Sequence, residues 1–315
     1  MNKKIRDFRI GRYTLPIGKR TIIMGILNVT PDSFYDGGKY FDLQKAIRRG
    51  IEMAKEGADI LDIGGESSRP GAQPVSKEKE LERVIPAIKG LTKKISIPIS
   101  IDTYKAEVAE QAIKFGASMV NDVSSLRIDK HMVEVIKKYD VPICLMHMKG
   151  EPRNMQKKPF YKDVVSEIMG FLEERIEFCL RNGIKKSKII IDPGIGFGKT
   201  VAHNLEILKN IERFTSMGYP VLLGVSRKSF IGHILNLESQ ERLVGSLGAG
   251  IWALIMGADI IRVHDVLETK RAAMVVDAIR NVKSIIKPLS KSSIENRPLD
   301  TNLTIDVSDQ ESRNM

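Results

Sequence analysis

The chain has 315 residues, of which 42% are hydrophobic, and it carries a formal net charge of +11. This length can bury one large core, as in single-domain barrels of roughly 250 residues, and no run reaches the roughly 18 apolar residues of a membrane span. The basic residues form no dense stripe with interleaved aromatics, which argues against a nucleic-acid-binding protein. We expect a soluble, cytoplasmic protein that binds neither nucleic acid nor membranes, with a charge that serves solubility and attracts anionic substrates.

Eight short apolar runs follow one another along the chain, and each ends on a polar residue or a glycine-rich turn. They are TIIMGIL, DILDIG, PISID, SMVND, PICLM, KIIID, PVLLGV and DIIRV. Their continuous apolarity and their Ile and Val content are typical of buried parallel strands. The segments between them are long enough for helices, and we predict helices at 42–56, 105–115, 161–182 and 202–217.

The joint between helix and strand repeats along the chain. A GAD or GAS tripeptide leads into a run at 57–59, 116–118 and 257–259. Glycine after a helix is a C-cap signal, so each tripeptide marks the end of a helix and the start of a strand. A doubly wound open sheet shares this alternation, but eight strand units favour a closed (β/α)₈ TIM barrel.

The domain prediction has three parts. Residues 1–20 form a lead-in, a hairpin that caps the bottom of the barrel, and residues 21–287 form the barrel. Residues 288–315 are rich in Ser, Asn and Asp, a composition typical of disorder. Cys144 and Cys179 show neither CxxC spacing nor a disulfide framework, so we predict that both are reduced packing residues.

Polar groups stand at several strand ends, and the C-terminal ends of all strands in a (β/α)₈ barrel converge on the face that carries the active site. We expect Asp102, Asn121, Asp192 and Lys228 to meet there. Two carboxylates, an amide and an ammonium suit a flat heterocycle with an edge of N–H donors, such as a pterin or a guanine-like ring. One Asp at a strand end equally suits a helix cap, but four such groups together favour a binding site.

A cationic site is predicted beside this cluster. Arg262 and His264 end the last run two residues apart, so their side chains point the same way. With Arg69, which follows the second run, they suit a phosphate or a diphosphate. A lone histidine is more often structural; the RVHD context favours binding for His264, whereas His147, between two methionines, is interpreted as structural.

The segment GIGFGKT at 194–200 is similar to a phosphate-binding loop but fits neither nucleotide signature. The GxxxxGK[ST] pattern requires glycine where Pro193 stands, and the GxGxxG pattern requires it where Lys199 stands. We therefore expect no nucleotide site in this segment.

Eight long motifs make the chain resemble the dihydropteroate synthase family, the enzymes of folate synthesis that sulfonamides inhibit. The motifs lie in family order between about residue 20 and residue 285. They are MGILNVTPDSFYDGG, DIGGESSRPGA, SIDTYKAEVAEQA, VNDVSS, LMHMKGEPRNMQ, DPGIGFGKTVAHN, GVSRKSFIG and RVHDV. The resemblance implies a TIM barrel and a transferase that joins 6-hydroxymethyl-7,8-dihydropterin diphosphate to p-aminobenzoate and releases pyrophosphate.

The resemblance also implies roles for individual residues around the pterin and the diphosphate. The residues that would hold or line the pterin are Asp102, Asn121, Met146, Asp192, Phe197, Lys228 and Arg262. Those that would bind the diphosphate are Asn28, Arg69, Arg262 and His264, with Asn28 beside a magnesium ion.

The p-aminobenzoate site and the reacting centre follow from the same resemblance. The carboxylate of p-aminobenzoate would lie beside Ser229, at a helix that starts near Ser226 and offers free N–H groups. The residues around its ring would be Phe34, Ser68, Pro70 and Lys228. Asp36 would lie near the reacting carbon, and catalysis would rest on orientation and charge, with Asp36, Arg69, Lys228, Arg262 and His264 as its residues.

Some features limit or extend the resemblance. Ser68 stands where the family often has threonine, which keeps the hydroxyl. Phe34 and Pro70 match the sulfonamide-sensitive pattern, and the stand-alone bacterial form of the family is usually a homodimer. The alternatives are a methyltetrahydrofolate-type methyltransferase, which would need neither SRKS nor the TPDSF loop, and a non-catalytic pterin-binding paralogue.

Overall fold

Eight parallel strands form the centre of the molecule. The computed structural model describes residues 6–30, 35–36, 40–41, 43–67, 71–151 and 153–281, and the predicted tail at 288–315 lies outside them. In chain order the eight strands are β3 Ile22–Asn28, β6 Ile60–Gly64, β7 Ile99–Asp102, β8 Ala117–Asp122, β9 Ile143–Met146, β10 Ile189–Asp192, β11 Leu222–Gly224 and β12 Ile260–Val263. Their order in the sheet is β10-β9-β8-β7-β6-β3-β12-β11.

The two outer strands of this order also meet, so the sheet closes on itself. Ile191 of β10 and Val221, just before β11, form a parallel bridge. The N–H of Ile191 donates to the carbonyl of Pro220 at 3.0 Å. The predicted TIM barrel is therefore confirmed, and an open doubly wound sheet is not what the chain forms.

Ten helices in the described residues connect the strands. They are α1 Leu43–Lys55, α2 Lys77–Thr92, α3 Ala106–Lys114, α4 Met132–Tyr139, α5 Val164–Arg181, α6 Val201–Lys209, α7 Ile211–Thr215, α8 Ser229–Leu235, α9 Leu243–Ile255 and α10 Val266–Arg280. The glycines of the three repeated joints, Gly57, Gly116 and Gly257, have φ values of +101°, +119° and +106°. This left-handed region favours glycine, as the C-cap prediction requires.

The helix predicted at 202–217 is in fact two helices that meet at Asn210. The side-chain amide of Asn210 donates to the carbonyl of Glu206 at 2.8 Å, and Asn210 itself has φ −112° and ψ 25°. A short amide side chain that bonds the neighbouring backbone competes with the helical hydrogen-bond pattern. The helix therefore ends here and a new one begins, a detail that hydrophobic periodicity does not show.

The first described residues form the predicted hairpin. Strands β1 Arg6–Ile10 and β2 Tyr13–Ile17 pair antiparallel. Their buried side chains form a cluster with the first halves of the barrel strands: Phe8, Ile10, Leu15, Ile17, Ile22, Met24, Ile60, Met119, Cys144, Ile190, Leu222 and Ile260. The hairpin thus closes the end of the barrel opposite the C-terminal strand ends.

The main core lies between the outer face of the barrel and the helices, with members such as Ile63, Val84 and Ile88. Cys179 lies in this core and Cys144 in the hairpin cluster, and both are buried and unbridged, in line with their prediction as packing residues. None of the helices that the structure describes is long and apolar enough to span a membrane.

Candidate active site

The predicted polar residues lie in one layer at the C-terminal mouth of the barrel. The register of the strands pairs Asn28 with Gly64, Gly64 with Asp102, and Asp102 with Asn121. On the next strands, Asp192 pairs with Met146. The barrel thus brings Asn28, Asp102, Asn121, Met146 and Asp192 together, although up to 164 positions separate them in sequence.

Arg262 bridges two carboxylates across this layer. Its Nε donates to Asp62 Oδ2 and its Nη2 to Asp102 Oδ2, each at 2.6 Å. Asn121 Nδ2 also donates to Asp62 Oδ2, at 3.0 Å. Asp62 is fully buried, and its Oδ1 has no hydrogen-bond partner among the described residues.

Asp62 is a residue of this site that the strand-end pattern does not identify. It lies in the middle of the apolar run DILDIG, in a strand whose five residues are all buried. Since charged residues are almost never fully buried without a partner, an Asp inside a buried strand is itself a signal of a polar site. The sequence contains this signal but does not show that Arg262 is the partner of Asp62.

Burial and charge shape the protonation of this group. Burial raises the pKa of Asp102 to about 7, Arg262 opposes the rise and Asp62 adds to it. Burial alone lowers the pKa of Arg262, but the charges of Asp62 and Asp102 outweigh it and raise that pKa above its ordinary value. Arg262 is therefore a permanent cation, and the charge of Asp102 changes near neutral pH.

Asp192 and Lys228 form the second charged element of the mouth. Burial raises the pKa of Asp192 and lowers that of Lys228 to about 8, and the opposite charge of each restrains the shift of the other. Lys228 Nζ donates to the carbonyl of Ile195 and lies 4.4 Å from the centroid of the Phe197 ring. Lys228 thus contacts the predicted apolar wall at Phe197.

The conformation of the turn that carries Phe197 requires the three glycines of the segment GIGFGKT. Gly194, Gly196 and Gly198 all have positive φ. A Cβ on Gly194 would lie 1.9 Å from the carbonyl oxygen of His147, so no other residue fits. The N–H of Gly194 donates to Asp192 Oδ1 at 2.7 Å. These glycines allow a close backbone approach behind the predicted pterin pocket.

His147 and Lys199 form a buried pair behind this turn. Lys199 Nζ lies 2.9 Å from His147 Nδ1 and donates to the carbonyl of Phe197 at 2.9 Å. Burial lowers the pKa of His147 to about 2, and Lys199 adds to the shift. The His147 ring packs edge-on against Phe171 at 4.9 Å, which agrees with its interpretation as structural.

His264 follows β12 and contacts the turn after β11. Ser226 Oγ lies 3.0 Å from His264 Nδ1, and the backbone N–H of His264 donates to Ser226 Oγ at 3.2 Å. Helix α8 begins at Ser229, three residues later than expected, because Arg227 has φ +56° and interrupts the chain between strand and helix. Lys228 and Ser229 therefore stand at the start of α8.

Several predicted site residues lie outside the described residues. They are Phe34, Ser68, Arg69 and Pro70. Asp36 belongs to the two-residue strand β4 Tyr35–Asp36, which pairs with β5 Tyr40–Phe41, and its side chain is likewise outside the description. The roles assigned to these five residues stay predictions.

The chain is similar to known proteins over the length of the barrel. The sequence profile described as pterin binding enzyme matches residues 24–264. Dihydropteroate synthases of Clostridium beijerinckii and Bacillus subtilis are 49% and 47% identical to the chain; the matches cover 86% and 84% of this chain and 98% and 90% of theirs. The chain belongs to the dihydropteroate synthase family.

Solved structures agree with this membership. Yersinia pestis dihydropteroate synthase in complex with a sulfonamide drug has a TM-score of 0.83 and 43% identity, covering 87% of this chain and 98% of that one. The Xanthomonas albilineans dihydropteroate synthase in complex with 7,8-dihydropteroate has a TM-score of 0.75 and 42% identity, covering 83% and 94%. The predicted family and its transferase class are thus confirmed, and these relatives give the methyltransferase alternative no support.

Proposed function

We propose that the mouth of this barrel condenses 6-hydroxymethyl-7,8-dihydropterin diphosphate with p-aminobenzoate, giving 7,8-dihydropteroate and pyrophosphate. The observation that carries the proposal is the buried layer in which Asp102, Asn121, Asp192 and Lys228 stand together. In the reaction the amine nitrogen bonds to the pterin methylene carbon, the bond from that carbon to the diphosphate oxygen breaks, and the amine loses a proton.

The pterin is the part of the substrate that these residues suit best. A carboxylate of Asp192 or Asp102 accepts hydrogen bonds from an N–H edge, while the Asn121 amide and the Lys228 ammonium donate to ring acceptors. Met146 and Phe197 supply apolar surface for the faces of the ring. Fixed charges in a buried site need no reorganisation during the reaction, so they orient the methylene carbon for attack.

The diphosphate is assigned to the cationic side of the mouth. Arg262 and His264 stand two residues apart at the end of β12, and Arg69 would complete the site. The carboxylates that hold Arg262 fix its position, while its charge still favours the departing anion.

The oxygen donors at the mouth fit a magnesium ion. A Cβ on Gly64 would lie 3.8 Å from Asn28 Oδ1 and 3.6 Å from Asp102 Oδ2, so glycine keeps the space between these oxygens open. Magnesium takes hard oxygen ligands and commonly has few protein ligands beside substrate phosphates and water. We infer that Asn28 would hold it, and the ion would supply charge stabilisation for the leaving diphosphate.

The p-aminobenzoate is assigned to the start of α8. Lys228 and Ser229 stand there, beside the Phe197 wall, and Phe34, Ser68 and Pro70 are predicted to surround the ring. Asp36 is predicted near the reacting carbon. These assignments rest on the family resemblance.

Pyrophosphate release by the purified chain tests the proposed function. With the dihydropterin diphosphate and magnesium, we expect dihydropteroate to form only when p-aminobenzoate is present, and a sulfonamide to inhibit its formation. Tight pterin binding without condensation would support the non-catalytic paralogue instead. Chelation of magnesium should stop turnover, and full activity under chelation would remove the ion from the proposal.

Pterin affinity should rise with pH in the range where Asp102 loses its proton. The pKa of Asp102 in the folded chain is raised to about 7. The contribution of Asp102 to the stability of the fold is therefore largest below its unfolded pKa, and it is lost as the pH rises through about 7. The N–H edge of the pterin binds the ionised Asp102 carboxylate better than the protonated carboxyl. Pterin binding should therefore release a proton and become stronger from about pH 5.5 to about pH 7.5. Calorimetry in buffers of different ionisation enthalpy measures the proton, and in the Asp102→Asn variant this proton release should vanish. A pH-independent affinity in the unaltered chain would contradict the assignment.

We also propose that the chain forms a homodimer through an apolar face of α6, α8 and α9. Four large side chains on this face are 44–54% exposed: Leu205, Ile234, Leu235 and Trp252. They line a groove of about 390 Å³ together with Phe230 and Ile231. A contiguous exposed apolar surface of this kind marks an interaction site. In a two-fold dimer, the same apolar face of a second copy would cover it.

A charge on this face should therefore separate the subunits. We expect Ile234→Glu to shift the sedimenting species from a dimer to a monomer of 35.3 kDa, because the dimer would bury an unpaired carboxylate. Ile128→Glu is the matched control, since Ile128 is 50% exposed and does not line the groove. A monomeric unaltered chain, or an Ile234→Glu dimer as stable as the control, would overturn the proposal.

A further inference from the structure

Two hydrogen bonds tie Ser226 to His264. The Ser226 hydroxyl oxygen accepts from the backbone N–H of His264 at 3.2 Å, and the same oxygen lies 3.0 Å from the ring nitrogen Nδ1. Ser226 is buried, with 6% of its surface exposed. The hydroxyl therefore meets both the main chain and the ring of a residue 38 positions away in sequence.

A serine hydroxyl that donates to Nδ1 would determine where a neutral His264 ring carries its proton. Because the serine oxygen already accepts from the backbone N–H, its own hydrogen is available to donate to Nδ1. A ring whose Nδ1 accepts a hydrogen bond carries its proton on Nε2. The contact thus holds the imidazole in one orientation, and with the serine as donor it favours the tautomer that presents an N–H at Nε2.

The turn that carries Ser226 is held firmly enough to impose this geometry. Arg227 has φ +56°, and its guanidinium bonds Asp265 through Nε at 3.0 Å and Nη2 at 2.5 Å. Its backbone N–H donates to Ser246 Oγ at 2.8 Å. Successive residues of one turn, Ser226 and Arg227, thus bind successive residues of the other, His264 and Asp265.

We propose that Ser226 is a positioning residue that holds His264 with an N–H at Nε2 for the substrate diphosphate. The inference rests on the proposed function, in which His264 contacts that diphosphate. Ser226 acts through the ring and needs no contact with either substrate. A misplaced or wrongly tautomeric imidazole would lose its hydrogen bond to the anion but leave the pterin ring contacts intact.

The test compares two ligands that differ in the diphosphate alone. Calorimetry of Ser226→Ala should show about tenfold weaker binding of the dihydropterin diphosphate, the effect of one hydrogen bond to a charged group. The affinity for 6-hydroxymethyl-7,8-dihydropterin should stay within about twofold of the unaltered chain. Ser226→Thr keeps the hydroxyl and should recover most of the loss.

Ser246→Ala is the matched control. It removes another buried serine hydroxyl, on helix α9, which accepts from the backbone N–H of Arg227 in the same turn and does not bond the imidazole. We expect it to leave the discrimination between the two ligands unchanged. Equal losses for both ligands in Ser226→Ala, or the same pattern in Ser246→Ala, would show a merely structural role and overturn the proposal.

Two further measurements separate this proposal from the proposed function. If His264→Ala binds the diphosphate substrate as well as the unaltered chain does, the diphosphate assignment itself fails. If His264→Ala loses affinity and Ser226→Ala does not, only the positioning role fails. The ¹⁵N shifts of the His264 ring in the unaltered chain should show a protonated Nε2 in the neutral form, and a protonated Nδ1 would overturn the proposal without any variant.

Discussion

Arg262→Met should abolish dihydropteroate formation and lower the free energy of unfolding by about 3–5 kcal/mol, the cost of leaving a buried charge without its partner. The substitution keeps an apolar chain of similar length but leaves Asp62 and Asp102 facing each other without the guanidinium that bridges them at 2.6 Å. The loss of stability should shrink as the pH falls to about 7 and below, because loss of the guanidinium raises the pKa of Asp102 further and a protonated Asp102 no longer repels Asp62. Denaturant unfolding and the synthase assay measure the two effects.

Two further variants distinguish the effect of the unpaired carboxylates from the effect of removing any arginine. Arg181→Met is the matched control, since the 67% exposed Arg181 side chain pairs with Glu177 only at 3.8 Å, and we expect it to change neither stability nor activity. Adding Asp102→Asn to Arg262→Met should restore part of the stability, because it removes one of the two opposed carboxylates. Activity should stay lost. Wild-type stability in Arg262→Met would contradict the view that the arginine neutralises this pair.

Asp192→Asn should weaken pterin binding about 10- to 100-fold while p-aminobenzoate binding changes far less. The amide keeps the shape of the side chain, but it removes the charge that faces the N–H edge, and a hydrogen bond to a charged group contributes about 1.5–3 kcal/mol. The change also deprives Lys228 of an opposing charge, so the pKa of Lys228 should fall further below its ordinary value. Calorimetry with each ligand measures the two affinities.

A surface carboxylate provides the comparison for Asp192. Asp140→Asn removes a charge that pairs with Lys185 at 3.0 Å and Lys188 at 3.2 Å, away from the mouth of the barrel. It should leave both affinities unchanged. Equal losses for the pterin and p-aminobenzoate in Asp192→Asn would be incompatible with a pterin-specific role for this carboxylate.

The architecture could be predicted because its signals are local. Continuous apolar runs indicate buried parallel strands. Glycines such as Gly57 and Gly116 mark the helix-to-strand joints that precede these strands, and their positive φ is the conformation that favours glycine there. The ends of the four predicted helices lie within a few residues of the observed ones, except where the Asn210 side chain interrupts a helix through its own hydrogen bonds. Such side-chain competition leaves the apolar pattern unchanged, so periodicity does not reveal it.

The candidate site was predictable as a set of strand ends but not as a set of contacts. Asp102, Asn121 and Asp192 follow from the rule that strand ends share one face of the barrel. Asp62 and Ser226 did not follow, because the role of each depends on a partner that is distant in sequence. Phe34, Ser68, Arg69 and Pro70 lie outside the described residues, and their roles rest on the motifs alone.

The sequence by itself determined the number and order of the strands, the end of the barrel that carries polar groups, and, through its motifs, the dihydropteroate synthase family. Only the tertiary structure decided that Arg262 joins Asp62, 200 positions away, and that Ser226 holds the ring of His264. The physical reason is the range of the two kinds of signal. Strand and turn preferences act over a few neighbouring residues, whereas these contacts form only when the barrel places β12 beside β11, which precedes Ser226, and beside β3, whose other neighbour β6 carries Asp62.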